Sequence, residues 1–195
     1  MRLVKTVSVI FILLSSLVFA QDMKQEMTPE MKAWMEYAKP GKMHKMLAER
    51  EGKWETTMEM WMQPGAEPMV SKGTAEYKMI LGGRYLQGNF KGSSMGMPFD
   101  GFSLDAYDNT KKEFVTVWLD TFGTGMTIAY SKYDEKTGKM SGMGKMIDPL
   151  VGDYIKYKTE SEVISKDKVI FNMYMFGEGG KEFHSMKITY VRAKK

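Results

Sequence analysis

The sequence contains no cysteine and only two histidines, His44 and His184, among its 195 residues. The first absence excludes a disulfide framework, a thiol nucleophile and a thiolate metal cluster, so stability must come from packing. The second leaves little material for nucleophilic catalysis, and there is no Gly-x-Ser-x-Gly elbow, so no catalytic residue is assigned. After residue 20 no apolar run approaches the roughly 20 residues that a membrane-spanning helix requires. A strong excess of one charge is also missing. The formal net charge is +4, and without Arg2 and Lys5 the remaining 26 basic and 24 acidic side chains give +2. Lysines alternate with acids, as in Lys53/Glu55 and Glu76/Lys78, which is the pattern of a solvated sheet face. Without an arginine-rich or basic–aromatic stripe, nucleic acid is not an expected partner.

Residues 1–20 have the form of a signal peptide: Arg2 and Lys5 at the start, an apolar run from Val7 to Leu14, and Val18-Phe19-Ala20 as a small-x-small cleavage site. The expected location is therefore the periplasm or the exterior, and the absence of a cysteine after Ala20 argues against a lipid anchor. Residues 21–51 form a methionine-rich segment with helical spacing, in which Met23, Met27, Met31 and Met35 recur every four residues. Thr28-Pro29-Glu30 supplies a cap, a first-turn proline and a first-turn acid, predicting a helix from about Pro29 to Tyr37 that Pro40-Gly41 stops. A second short helix is expected through Met43, Met46 and Leu47 to Arg50.

From residue 52 to 195 the period changes to two. Trp54, Thr56, Met58, Met60 and Met62 alternate with Lys53, Glu55, Thr57 and Glu59, so one face is wet. Nine turn signals, among them Pro64-Gly65, Gly82-Gly83, Asp108-Asn109 and Asp148-Pro149, divide this stretch into ten strands. With no long helical pattern between them, the expected fold is all-β: a single antiparallel up-and-down β-barrel with short N-terminal helices. Closure is assigned to Trp54 in the first strand and Arg192 in the last, because a guanidinium can lie across an indole. Residues 114–119 and 169–176 are apolar on both faces, which requires a cover outside the wall: either the N-terminal helices or a second copy in a homodimer.

Several short motifs occur together along the chain. They include Pro40-Gly41-x-x-His44-Lys45-x-Leu47, Gly52-x-Trp54, Leu81-Gly82-Gly83-Arg84, Pro98-Phe99-x-Gly101, Tyr107-Asp108-Asn109, Trp118-x-Asp120, Gly123-Thr124-Gly125-Met126 and Tyr190-x-Arg192. As a set they resemble the exported bacterial family known as domain of unknown function 1579. The resemblance implies a calycin-like barrel, related in outline to lipocalins and nitrobindins, and implies no activity.

A container fold directs attention to its lining. Met58, Met60, Trp118, Met173, His184, Met186 and Tyr190 are the candidate ligand-binding residues, for a small hydrophobic molecule. If Lys187 faces solvent, His184 points inward with Met186, Ile188 and Tyr190 and needs a partner: a tyrosine, an aspartate or haem iron, as in nitrobindin-like barrels that use a late histidine. His44 is expected to plug the end of the barrel. Runs such as Met58-x-Met60-x-Met62 and Met43-His44-x-x-Met46 admit two readings, flexible apolar filler or soft thioether ligands for Cu(I). Under the second, His184, His44, Met43 and Met46 are the metal candidates. An enzyme site at the barrel mouth would draw on Arg84, Asp105 and Asp120.

Overall fold

A computed structural model describes residues 27–194. Residues 1–20, expected from the sequence to be a signal peptide, and Met23 lie outside the described residues. Two short helices, α1 (Pro29–Tyr37) and α2 (Lys42–Ala48), precede ten strands. These are β1 (Gly52–Met60), β2 (Met69–Ile80), β3 (Tyr85–Ser94), β4 (Met97–Asp108), β5 (Glu113–Asp120), β6 (Thr127–Asp134), β7 (Lys139–Asp148), β8 (Asp153–Ser165), β9 (Lys168–Phe176) and β10 (Glu182–Arg192). Each strand pairs antiparallel with its neighbours in sequence, and β1 pairs with β10 to close the cylinder. Closure removes both sheet edges and so leaves no open ladder for another chain to extend.

Local chemistry sets the hairpins. Asp108, Asp134 and Asp148 each end a strand and turn a carboxylate onto the following loop, accepting from Thr110, Lys136 and Leu150 N–H groups at 2.8 Å. Four residues on from Asp134 and Asp148, Gly138 (φ 69°) and Gly152 (φ 74°) take the left-handed conformation that the turn requires. These aspartates are engaged with their own backbone, as turn aspartates generally are.

Helix α2 stoppers one end. Its Leu47 is buried with Trp54, Tyr77, Leu86, Phe114 and Tyr190, and Met43 and Met46 pack against that cluster. The Trp54 indole donates to the Arg50 carbonyl at 2.8 Å, tying the segment after the helix to the first strand. Helix α1 has no buried residue and is held at its end by Asn109, whose amide donates to the carbonyls of Tyr37 (2.7 Å) and Lys39 (2.9 Å). The helices therefore do not cover the doubly apolar strands, contrary to the first of the two expectations. Val115, Val117 and Leu119 on the outside of β5 are bordered by Ile128 and Tyr130, both exposed.

Large rings inside the barrel lie where a facing strand has no side chain. A Cβ on Gly101 would fall on the Trp118 indole, and one on Gly144 on the Tyr157 ring, so each glycine makes room for an aromatic.

Candidate functional site

The interior changes character along its axis. Near the α2 end, Trp54, Tyr77, Leu86, Phe114, Val169 and Tyr190 form a closed apolar layer. Above it Phe90, Trp118, Phe171 and Ile188 face the lumen; Phe90 and Trp118 meet edge to face at 4.8 Å between centroids. The Trp118 indole donates to Asp120 at 2.6 Å, which fixes the ring.

A polar group sits within this apolar wall. Arg50 turns its guanidinium inward, donating to the Tyr77 hydroxyl at 2.9 Å and lying 4.6 Å from the Tyr77 ring and 5.2 Å from that of Tyr190. Its Nε is buried and has no hydrogen-bond partner. Asp105 on β4 accepts from Thr116 Oγ1 at 2.5 Å and from Ser103 Oγ at 3.3 Å. Burial pushes the Asp105 carboxyl above its ordinary value, against the opposing pull of Thr116, Arg50 and Ser103. Burial likewise drives the Tyr77 hydroxyl well up and that of Tyr190 up. Asp105 and Thr116 point inward and are enclosed by the wall, yet both are only half-buried.

The expected lining residues divide. Tyr190 and Trp118 belong to the lumen as described, whereas Met58, Met60, Met173 and Met186 lie nearer the end opposite α2 and are half-buried there. Met58 and Met60 border a cleft of about 430 Å³ at that mouth. His184 does not point inward. A β-bulge between His184 and Met186 inserts Ser185 and reverses the alternation, so that His184 pairs with Tyr174 on the outer face. There the imidazole is stacked between Trp61 (4.6 Å) and Tyr174 (5.0 Å), and the Tyr174 ring in turn carries Lys158, which is ion-paired with Glu160 and Glu182. His184 thus leaves the inward face expected from its parity with Tyr190, because one unpaired residue shifts every side chain beyond it to the other face.

His44 is buried in the plug, and its Nδ1 accepts from the Gly41 N–H at 3.0 Å. Burial, with Arg84 nearby, lowers its pKa and favours the neutral ring. His44 and His184 are thus far apart, and Met43 and Met46 face the core and a cleft beside α2. Among the described residues no three His, Asp or Glu side chains gather as a metal site. Haem is not a good fit to these residues, since neither imidazole projects into the lumen. Arg84, Asp105 and Asp120 are also separate: Arg84 bonds the carbonyls of Leu81 and Gly82 in its own turn, and Asp120 holds Trp118. Arg50, Tyr77, Ser103 and Thr116 escaped the sequence reading. Arg50 stands at the end of a helical segment, where only the three-dimensional path of the chain turns it into the barrel.

Comparison with known proteins places this geometry. A family model described as "Protein of unknown function (DUF1579)" matches residues 39–192. Among solved structures, Rv2717c from M. tuberculosis superposes with a TM-score of 0.60 at 11% identity, over 80% of this chain and all (100%) of that one. The S-type phycobiliprotein lyase CPES from Guillardia theta superposes with a TM-score of 0.53 at 9% identity, over 78% of this chain and 93% of that one. At such identities the likeness is one of fold. No curated protein matches the sequence.

Proposed function

Since this chain belongs to the family described as Protein of unknown function (DUF1579), which supplies a barrel and no reaction, we propose that it binds a small hydrophobic molecule inside that barrel, as a carrier or sensor rather than a catalyst. The observation that carries this reading is the buried Arg50 Nε, which has no hydrogen-bond partner, at the α2 end of a lumen lined by Phe90, Trp118, Phe171 and Ile188. A buried donor without an acceptor costs free energy unless something else satisfies it, and a ligand with one polar acceptor and an apolar body would do so. Tyr77, bonded to the same guanidinium, and Asp105, whose charge acts on it, would be the polar neighbours of such an acceptor.

Native mass spectrometry of the purified protein is the test, followed by Trp118 fluorescence during titration with long-chain amphiphiles. The expected result is a retained small molecule, lost or bound at least tenfold more weakly in Arg50→Met. A protein of apo mass, whose Trp118 emission is unmoved by every amphiphile, would overturn the reading. Export is part of the same proposal, on the strength of the basic, apolar and small-residue pattern of residues 1–20, and N-terminal sequencing of protein from the envelope tests it. The uncovered outer face of β5 further supports self-association through Val115, Val117 and Leu119. A monomer at all concentrations in analytical ultracentrifugation would remove that part alone.

A further inference from the structure

Four methionines stand in one row. Across β2, β1, β10 and β9, Met69 is the register partner of Met60, Met60 of Met186, and Met186 of Met173. All four are on the inner face. Met60 has the parity of Trp54, Met69 that of Tyr77, Met186 that of Tyr190, and Met173 that of Val169, each of which is buried in the core. Nothing in the spacing along the chain announces this row, because its members are separated by up to 126 residues and only the barrel's register brings them side by side. Met58, one position deeper on the same face, and Met95, from the β3–β4 turn, join Met60 and Met69 around the cleft at the mouth.

Their exposure argues against mere filling. Strand positions favour β-branched and aromatic side chains, and methionine replaces leucine in a core where it is enclosed. Here Met58, Met60, Met173 and Met186 are half-buried and Met69 is exposed, whereas the true core residue Leu86 is fully buried.

We propose that this row is a binding site for a soft monovalent cation, Cu(I), coordinated by thioether sulfurs at the open mouth of the barrel. Thioethers are neutral, soft donors that select Cu(I) over harder ions. Adjacent strands lie about 4.8 Å apart, so three neighbouring methionines span roughly 10 Å at the backbone. Their unbranched arms, each with three rotatable bonds, can converge on one ion above the middle strand, and the inward curvature of the wall helps them do so. The central trio Met69, Met60 and Met186 is the primary set, with Met173 and Met58 as neighbours able to exchange in. The site is independent of Arg50 and of the lumen ligand.

The test uses the protein with its methionine methyl groups labelled with ¹³C, titrated with Ag(I), a redox-inert probe of the same softness, and separately with Cu(I) under ascorbate against a competing chelator. The expected result is that the methyl resonances of Met60, Met69 and Met186 shift and saturate at one ion per protein, while Met31 and Met35 do not move and Zn(II) has no effect. The double variant Met60→Leu/Met186→Leu preserves side-chain volume and hence the fold. It should lose Cu(I) retention by at least tenfold and still bind the lumen ligand. Unchanged retention in that variant, or shifts spread evenly over all methionines, would overturn the proposal. Loss of lumen binding in Arg50→Met with the Ag(I) shifts intact would leave it standing, so the two readings fail separately.

Discussion

Arg192 lies over Trp54, its Cζ 4.2 Å from the ring centroid, and from there bonds two other segments of the chain. Its guanidinium donates to the carbonyls of Glu51 (2.6 Å), Glu49 (2.9 Å) and Lys166 (3.0 Å) and pairs with Asp167 at 3.2 Å. The residues before β1, the β8–β9 turn and the last strand are thereby fastened at one point. Replacement by alanine removes the cation–π contact and strands several carbonyls, and should lower unfolding stability by about 2–3 kcal/mol. Arg192→Lys should recover only a small part, because an ammonium lacks the planar fork. Urea unfolding of the two variants measures both, and equal stability of Arg192→Lys and the parent would show that charge alone suffices.

Gly144 and Tyr157 form a second pair whose dependence can be tested. Since a Cβ at 144 would overlap the Tyr157 ring, Gly144→Ala should destabilise by about 1–3 kcal/mol. In a Tyr157→Leu background the same change should cost much less, giving a large coupling in a double-mutant cycle. Burial also pushes the Tyr157 hydroxyl up to about 12, so its ultraviolet titration should lie above that of an exposed tyrosine.

Two groups give stability opposite dependences on pH. Asp105 has a raised pKa in the folded protein, so it binds its proton more tightly when folded. Its contribution is complete below the ordinary value of 3.8 and is lost as pH rises through the raised one. His44 has a depressed pKa, so its contribution is complete above 6.5 and is lost as pH falls through the lowered value. Asp105→Asn should flatten the first slope. His44→Asn, which retains an acceptor for the Gly41 N–H, should flatten the second. Denaturation midpoints measured across the acid range decide, and slopes that persist in both variants would assign the effects elsewhere.

The outer stack supplies a control on the lumen. His184→Ala should cost about 1 kcal/mol through the lost contacts with Trp61 and Tyr174, and should leave ligand retention unchanged. Impaired retention in this variant would mean that the β10 bulge does not hold in solution.

The amino-acid sequence was sufficient for the elements and their order. Alternation after Gly52, turn aspartates followed by glycine, and the cap at Thr28 are local signals, legible because period and φ preference act over a few residues. It also indicated that the first and last strands meet at the seam, where Trp54 and Arg192 are register partners. The facing of His184 was decided only in three dimensions, because a bulge of one residue has no firm sequence mark and reverses all that follows. Arg50 inside the wall and the row from Met69 to Met173 were settled there too. Both depend on strand register and chain path, which are set by packing of the whole cylinder rather than by any segment of it.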